Sequence, residues 1–409
     1  MHWDKLKHLK PPADVTSEEY WIGTKLARQS LLKPLPFQDT QGNPFRFGMP
    51  DNVLRLVHQI DQQAGGYLPT RYPLPLPQER DVYLIRSLIE EAVHSSLLEG
   101  AATTYRVAKD MLRQGRKPRN RSERMVSNNF EAMQFIRQHL EEELTPHLIL
   151  SLHRMVTEGT LDHPDAAGKL RTPEDDIHIV DVYSQLLHTP PAAAELPERL
   201  SHLCAFANDT DENNFIHPVI RAIVLHFMLG YDHPFVDGNG RTARALFYWA
   251  VSRQGYWLLE FTSISQIIKK APAQYARAFL HTETDENDTT YFLIHQLEMI
   301  HQAIHSLHEY LQTKATELRL TEELLTRSRL KGDLNQRQLD LLRYALKHPD
   351  KIYTIQEHQT LHGVSYETAR TDLLHLADDL QLLQKHKVGK GFVFIVPQDF
   401  QTRFEGNST

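Results

Sequence analysis

Apolar positions recur with helical spacing through most of the chain. Over residues 76–320, apolar residues return every three or four positions, as in a helix that buries one face. The clearest segments are DVYLIRSLIEEAVHSSLLEG, SERMVSNNFEAMQFIRQHL, TPHLILSLHRMVTEG, HPVIRAIVLHFMLGY and TARALFYWAVSRQ. We therefore predict a mainly α-helical domain over residues 76–320. Residues 1–75, rich in Pro, Gly and short aromatic stretches, are predicted to form an arm or small subdomain.

One segment interrupts the helical spacing. In GKLRTPEDDIHIVDVYSQLLHTPP, the stretches IHIV and QLLHT flank the short polar turn DVYS, and two prolines follow. This pattern is typical of a β-hairpin, because apolar stretches flank a turn and prolines end the second strand. A single hairpin on a helical body predicts a flap around residues 177–189. A simple cover over a sheet edge is the alternative.

The last part of the chain has a different pattern. Three helical segments, LNQRQLDLLRYALKH, TIQEHQTLHG and SYETARTDLLHLADDLQLL, precede the hairpin pattern of QKHKVGKGFVFIVPQ. Three helices and a hairpin predict a winged helix-turn-helix domain over residues 334–399, with SYETARTDLLHL as the recognition helix. The side chains expected to face a groove are Ser365, Tyr366, Thr368 and Arg370.

The charges of this C-terminal domain leave its partner open. Three lysines without acidic neighbours suit contact with DNA phosphates: Lys385, Lys387 and Lys390. Three aspartates make the end of the recognition helix acidic: Asp372, Asp378 and Asp379. Many winged helices bind proteins or form dimers instead, so DNA, a protein partner and a homodimer all stay open.

Composition and charge limit the class of protein. With 409 residues, of which 41% are hydrophobic and 24% charged, the chain is typical of a globular protein. The formal net charge of −7 argues against a protein that coats nucleic acid or an anionic membrane. Cys204 is the only cysteine, which excludes an intramolecular disulfide and a cysteine-based zinc site. Because the sequence has no signal-peptide or membrane-spanning pattern, we expect a soluble cytoplasmic protein without a membrane partner.

The stretch HPFVDGNGRTAR, residues 233–244, concentrates groups that suit phosphate chemistry. Helical spacing on both sides places its glycines in a tight loop that opens a helix, where backbone N–H groups bind anions. Gly238 and Gly240 let the backbone approach a phosphate closely, and Asn239 tolerates a left-handed turn. The sequence contains no GxxxxGK[ST] motif, so a P-loop enzyme is excluded.

The charged side chains of the same stretch complete a predicted nucleotide site. Arg241 and Arg244 lie one helical turn apart, so both can turn towards one polyanion. Asp237 is placed to hold Mg²⁺, which takes one or two carboxylates and lets substrate oxygens fill its shell. His233 can act as general base for a nucleophile that attacks the phosphate. An ordinary helix-loop-helix with surface arginines is the alternative, and the combined spacing favours the nucleotide site.

This stretch resembles the defining motif of the Fic family, HPFx[DE]GNGRxxR. The matching positions are His233, Pro234, Phe235, Asp237, Gly238, Asn239, Gly240, Arg241 and Arg244. The resemblance implies transfer of AMP from ATP to a Ser, Thr or Tyr hydroxyl of a protein, with pyrophosphate as the leaving group. In that template His233 is the base and Asp237 holds Mg²⁺ on the α and β phosphates. The loop amides receive those phosphates, and Arg244 reaches the γ-phosphate.

The resemblance also implies roles for the hairpin and for the second glycine. The flap would bind the target peptide as an added strand. Its predicted contact residues are Ile177, His178, Ile179, His188 and Thr189. In the kinase-like Doc branch of the family, a lysine replaces the second glycine and the nucleotide binds reversed. Gly240 is intact in this chain, which favours AMP transfer.

A second short stretch, SSLLEG, ends the helix that precedes this core. Ser95 and Glu99 stand one turn apart on one face, and Gly100 follows as the stop. A glutamate near a helix C-terminus opposes the helix dipole, so another group should favour it. The stretch matches the inhibitory motif [ST]xxxE[GN] of self-inhibited Fic proteins, with residues 77–100 as the inhibitory helix. The resemblance implies that Glu99 pairs with Arg244 and withholds it from the γ-phosphate.

Two functions from different classes are compatible with these patterns. The first is a self-inhibited protein adenylyltransferase, in which the inhibitory glutamate could also position water for removal of AMP. The second is a transcription regulator whose Fic core senses nucleotide without turning it over. The presence of His233 favours the enzyme, because a sensor needs the anion loop but no base.

Overall fold

A computed structural model of the protein divides the chain into two compact units, Met1–Glu309 and Tyr310–Thr409. The structure describes residues 1–64, 77–113, 115–180, 185–327, 334–348, 351–388, 391–397, 399–400 and 403. Each unit has its own hydrophobic core. Helices make up most of the described residues and the few strands are short, so the predicted mainly α-helical class is confirmed.

The first unit is a bundle of helices with two small hairpins. Its α-helices, α1 to α12 in chain order, span Trp3–Leu6, Ser17–Gln29, Asp51–Ala64, Pro77–Leu98, Tyr105–Arg113, Arg121–Gln138, Pro146–Thr157, Leu196–Asn208, Pro218–Asp232, Asn239–Arg253, Ile264–Ile268 and Pro272–Thr284. The long helix α13 spans Thr290–Arg327, so the boundary between the two units, after Glu309, falls within it. The antiparallel pairs β1–β2 and β3–β4 span Lys33–Gln38, Pro44–Phe47, Ile179–Val180 and Leu186–His188. Short 3-10 turns lie at Pro164–Ala166, Pro173–Asp175, Ala193–Glu195, Glu212–Asn214 and Trp257–Phe261.

Helices α9 and α10 form the centre of this unit. α9 is buried on nearly all sides, and Ile220, Ile223 and Phe227 have no exposed surface. A helix that is apolar all round must be surrounded by other elements. Accordingly, α8 packs on α9, while α4, α6 and α7 pack on α10. None of the helices in the described residues is long and apolar enough to cross a bilayer.

The loop between α9 and α10 carries the stretch that resembles the Fic motif. α9 ends where His233 takes a left-handed conformation with φ of 45°, and its N–H donates to Leu229 O. α10 begins after Gly238, whose φ is 85°. A methyl group built on Gly238 would lie 2.6 Å from Thr157 Cγ2, so only glycine fits there. Both ends of the loop are therefore fixed by helix termini.

The first 64 residues, predicted as an arm or small subdomain, pack into the same unit as the helical core. The hairpin β1–β2 was not predicted, because Pro34 and Pro36 conceal its strand pattern. Both prolines point outward, whereas Leu35 and Phe37 alternate with them and are buried. The strand thus keeps the period-two pattern of a sheet with one buried face.

Helix α4, the predicted inhibitory helix, is fixed to the core through a buried carboxylate. Glu91 accepts hydrogen bonds from the Tyr248 hydroxyl at 3.0 Å, the Ser263 hydroxyl at 2.9 Å and the Ser265 amide at 3.1 Å. The Ser265 hydroxyl also donates to it. Because a buried carboxylate needs donors, these contacts select one register of α4 against the core. That register sets the position of Glu99, about two helical turns further along.

The second unit contains a small antiparallel sheet and short helices. Its elements α14, β5, α15, α16, β6 and β7 span Gln336–Lys347, Ile352–Thr354, Ile355–His362, Tyr366–Leu374, Gln384–Val388 and Gly391–Ile395. The strands pair in the order β5–β7–β6, and a π-helical turn at His375–Asp379 follows α16. This order of elements is the one expected for a winged helix-turn-helix.

Asp372 of α16 links three helices of the second unit. Its carboxylate accepts from Arg337 Nε and Asn335 Nδ2, each at 2.7 Å, and from His358 Nε2 at 3.2 Å. Burial alone would raise the pKa of Asp372, but these donors hold the pKa below its usual range. The start of α14, the middle of α15 and the last turn of α16 are therefore joined at one charge.

We expect Asp372→Ala to destabilise the second unit by about 1–3 kcal/mol, because the buried His358 and the half-buried Arg337 lose their acceptor. Amide hydrogen exchange of α14 to α16 at pH 7 measures this loss. Asp379→Ala, which removes an exposed carboxylate, is the control and should change stability by less than ~0.5 kcal/mol. Because the pKa of Asp372 is lowered in the folded state, its contribution is present above the unfolded pKa and is lost as pH falls through the folded value. Equal protection of Asp372→Ala and the original protein at pH 7 would contradict this role.

Candidate functional site

His233 lies half-buried at the end of α9, and the helix orients its ring. The ring Nδ1 is 3.2 Å from Gly230 O. Because a carbonyl only accepts, Nδ1 carries the proton of the neutral ring and Nε2 keeps its lone pair. Burial lowers the pKa of His233 to about 4, so the ring is neutral at physiological pH. The side chain thus has the protonation state that a general base needs.

Asn239 and Phe235 hold the loop from within. The Phe235 N–H donates to Asn239 Oδ1 at 3.0 Å, and Asn239 Nδ2 donates back to Phe235 O at 2.8 Å. Phe235 has no exposed surface and stacks on the ring of His153, with centroids 3.7 Å apart. The Asn239 side chain therefore serves the loop. The predicted contact of Asn239 with nucleotide therefore concerns its backbone N–H, and this contact stays a prediction.

His153 is a residue of the site that the sequence pattern did not reveal. This fully buried residue of α7 donates from Nε2 to Asp237 O at 2.9 Å and accepts the Gly168 N–H at Nδ1, at 3.0 Å. One donor and one acceptor are what a neutral imidazole offers, and burial lowers the pKa of His153 to about 4. The ring joins the loop to the GKLR segment. In the sequence, His153 is only one polar residue on a helix, with no local motif to mark it.

Asp237 and Arg241 form an ion pair at the loop. Asp237 Oδ1 accepts from Arg241 Nη2 at 3.2 Å and from the Gly238 N–H. The Asp237 side chain is 42% exposed, whereas Arg241 has no exposed surface and also donates to Val156 O. A partly exposed carboxylate suits Mg²⁺. The Arg241 guanidinium is buried and already donates to Val156 O and Asp237 Oδ1. Its contact with a phosphate therefore stays a prediction.

Arg244 is buried, and its guanidinium is held by the predicted inhibitory helix. Arg244 Nη2 donates to Glu99 Oε1 at 2.8 Å, and Nε donates to Ser95 Oγ at 2.9 Å. Nη2 also reaches Ser95 O at 3.1 Å. The structure therefore brings together the three residues that the two short sequence stretches linked. Their contacts span about 150 positions of the chain.

The Glu99 carboxylate also lies against the start of α10. A methyl group built on Gly240 would lie 2.1 Å from Glu99 Oε1 and 3.0 Å from Arg244 Nη1. Gly240 therefore has no room for a side chain while Glu99 is in place. A negative group thus lies at the helix start, which is where a helix favours an anion.

The hairpin predicted as a flap is present as the pair β3–β4, in which Ile179 lies opposite His188. Its DVYS turn, residues 181–184, lies outside the described residues. His178 and Thr189 are exposed, and Ile177 and Ile179 are half-buried. His188 is different because its side chain is buried and its ring contacts Glu283 and Tyr231 O. The expectation that His188 contacts a target peptide therefore needs correction, since the side chain points into the body of the unit.

The predicted DNA-facing side chains of the second unit are partly paired with acids. Arg370 pairs with Glu367 at 3.0 Å, and Lys385 pairs with Asp378 at 2.5 Å. The Ser365 hydroxyl caps α16 by accepting the Thr368 N–H. Tyr366 and Lys387 are exposed, and Lys390 lies outside the described residues. Phosphates would have to compete with carboxylates for two of these cations.

The comparison with family models gives one match, in which residues 143–251 fit the Fic/DOC family. This segment contains the whole loop, so the resemblance carried by the motif is confirmed there. The protein adenylyltransferase Fic of Nematostella vectensis is 27% identical over 217 residues, which are 50% of this chain and 48% of that protein. The protein adenylyltransferase fic-1 of Caenorhabditis briggsae is 30% identical over 219 residues, 52% of this chain and 40% of that protein. The chain thus spans less than half the length of these two relatives.

Solved structures show a similar fold at low identity. A Fic family protein of Desulfovibrio desulfuricans G20 has a TM-score of 0.55 at 18% identity, over 85% of this chain and 96% of that chain. Fic-1 of C. elegans has a TM-score of 0.51 at 19% identity, over 74% of this chain and 79% of that chain. At these identities the likeness concerns the fold alone.

The contact between Gly240 and Glu99 predicts a non-additive pair of substitutions. We expect Gly240→Ala to cost about 1–3 kcal/mol of stability, because the added methyl group overlaps the Glu99 carboxylate. In a Glu99→Gly protein the same change should cost less by ~0.5 kcal/mol or more, since the overlapping group is gone. Urea unfolding of the four proteins measures the coupling, and Gly23→Ala is the control because no atom lies within 4 Å of its added methyl group. Strictly additive costs would contradict the contact.

Proposed function

Because this chain carries a Fic domain, we propose that it is a self-inhibited protein adenylyltransferase, which transfers AMP from ATP to a Ser, Thr or Tyr hydroxyl of a protein, including its own. The observation that carries the proposal is the position of Glu99. Its carboxylate lies against the glycine-lined start of α10 and pairs with a buried arginine, so the protein's own anion takes the place expected for a phosphate. At the other end of the same loop stands a neutral histidine, His233.

His233 acts as the general base in this proposal. Its Nε2 accepts the proton of the target hydroxyl, and the hydroxyl oxygen forms a bond to the α-phosphorus of ATP. The bond between the α-phosphorus and the bridging oxygen breaks, and pyrophosphate leaves. The contact of Nδ1 with Gly230 O supports this role, because it leaves Nε2 as the basic atom. The low pKa of the buried ring keeps that atom unprotonated.

The start of α10 binds the phosphates in this proposal. The amides of residues 238–240 offer donors at a helix start, and Gly240 allows close approach once Glu99 moves away. Asp237 would hold Mg²⁺, because it offers a partly exposed carboxylate next to this loop. When bound, the ion neutralises charge on phosphate oxygens. Arg241 keeps the Asp237 carboxylate in place from below.

Glu99 inhibits the enzyme by occupying Arg244. While Arg244 donates to Glu99 and Ser95, its guanidinium is not offered to a γ-phosphate. The carboxylate would also repel that phosphate. The same glutamate could position water for removal of AMP, so the reverse activity is part of the proposal. The competing function, a nucleotide sensor with a DNA-binding C-terminal unit, makes no use of the basic Nε2 of His233 and gains no support from the paired cations of α16 and β6.

The inhibitory pair predicts a gain of activity when Glu99 is removed. Glu99→Gly should raise AMP incorporation into the protein itself by roughly 5- to 150-fold at subsaturating ATP, the range of common regulatory couplings. Arg244→Ala should show no gain, and Glu99→Gly added to it should change little, because both residues share one contact. Transfer of label from α-³²P-ATP measures all four proteins. Equal incorporation by Glu99→Gly and the original protein would refute the inhibitory role.

The buried base predicts an unusual pH profile for the activated protein. Burial lowers the pKa of His233 to about 4, and the charge of Glu99 partly opposes this shift. Glu99→Gly should therefore keep a constant transfer rate from pH 7 down to about 5, and lose rate only as His233 becomes protonated near pH 4. Circular dichroism at each pH checks that the protein stays folded. A rate that halves near pH 6.5 would mean that an ordinary, exposed histidine limits the reaction.

A further inference from the structure

The last turn of α9 has backbone carbonyls that no later residue of the helix can satisfy. Side chains from outside the helix bind three of them in succession. Arg171 Nε donates to His233 O at 2.9 Å, and its Nη2 lies 3.4 Å from Asp232 O. His188 Nε2 lies 2.7 Å from Tyr231 O. The helix end that carries the proposed base is therefore capped by an arginine and by a histidine of the flap strand β4.

The second ring nitrogen of His188 also faces an acceptor. His188 Nδ1 lies 2.7 Å from Glu283 Oε2, on α12. Both distances are those of hydrogen bonds, and both partners accept, so both contacts need a proton between the two atoms. A neutral imidazole has only one N–H. Either the ring of His188 carries both protons, or Glu283 carries one of them.

The surroundings favour a charged ring over a protonated glutamate. A cation at a helix C-terminus interacts favourably with the helix dipole, and the Glu283 carboxylate adds an opposite charge in direct contact. The His188 side chain is only 7% exposed, so little solvent screens these interactions. The ring contacts Glu283 of α12 and Tyr231 of α9. The charged groups that act on its neighbours Tyr231, Asp232 and His233 are Glu283, Asp39, Glu99, Arg171, Glu195, and Arg199 of α8. Arg199 pairs with Asp232 at 3.0 Å, so that nearby acid already has its own cation.

We propose that His188 is a positioning residue for His233 and acts as an imidazolium, donating one proton to Tyr231 O and the other to Glu283. The role as a positioning residue rests on the proposed function of His233 as base. His188, on strand β4, contacts α12 through Glu283 and the end of α9 through Tyr231. Tyr231 lies two residues before His233. His188 also affects the base electrostatically, since burial is the main cause of the low pKa of His233 and the positive charges of His188 and Arg171 lower it further.

The protonation state is tested by ¹⁵N NMR of the full chain labelled at histidine. The chain has 24 histidines, and the His188 signals are identified by their loss in His188→Gln or His188→Asn. At pH 7 we expect both ring nitrogens of His188 to show imidazolium shifts. In Glu283→Gln the ring should be neutral at the same pH, with its proton on Nε2. A neutral ring in the original protein at pH 7 would overturn the proposal, whatever the enzymatic activity.

The positioning role is tested by measuring kcat and KM for AMP transfer in a Glu99→Gly background. His188→Gln should lower kcat by roughly 10- to 100-fold and leave KM for ATP within about twofold, because the base is displaced while the phosphate loop is not. Glu283→Gln, whose neutral ring keeps its Nε2 proton on Tyr231 O, should retain a kcat closer to that of the parent than His188→Gln does. Glu212→Gln, an exposed control, should match the parent. A charged His188 in the NMR experiment with unchanged kcat in His188→Gln would refute the positioning role, and absence of transfer in the Glu99→Gly parent would instead refute the proposed function.

Discussion

A buried guanidinium must have acceptors, and Arg244 is almost fully buried. In this structure the acceptors come from the predicted inhibitory helix, through Ser95 and Glu99. If Glu99 leaves, the Arg244 guanidinium loses the one carboxylate that it contacts directly among the described residues. A nucleotide phosphate at the start of α10 would meet that need. Under the proposed function, this one buried charge would let a carboxylate close the site and a phosphate take its place.

The other contacts of the site fix the elements that carry Glu99, the loop and His233. Glu91 accepts four hydrogen bonds from the core and so fixes the position of α4 along its axis. This position places Glu99 next to Arg244. His153 of α7 binds the loop at Asp237 O, and the Asn239 side chain binds it at the Phe235 backbone. The capped end of α9 holds His233 in its left-handed conformation. The proposed chemistry thus depends on helix termini, whose unsatisfied backbone groups are used to bind side chains or ligands.

The sequence could predict those parts of the site that lie close together in the chain. The helices on both sides of residues 233–244 and the glycines between them define the loop from local pattern alone. The pairing of Glu99 with Arg244 came from a family resemblance, since helical spacing places no two distant helices together. His153, Glu91 and the inward side chain of His188 were beyond prediction for a physical reason. Each is a polar residue whose partners come from other elements, and tertiary packing alone decides those partners. The hairpin β1–β2 was missed because its prolines lie on the outward face, where a sheet tolerates them.

Calorimetric binding of ATP and ADP to the original protein and to Glu99→Gly tests the central claim most directly. Both nucleotides would gain from the space that Glu99 leaves next to Gly240, but only ATP has the γ-phosphate that we expect to bind Arg244. Removing Glu99 should therefore raise the affinity for ATP over that for ADP by a further factor of roughly 5 to 150. An equal change for both nucleotides would contradict the competition, because the freed guanidinium would then make no distinction between them.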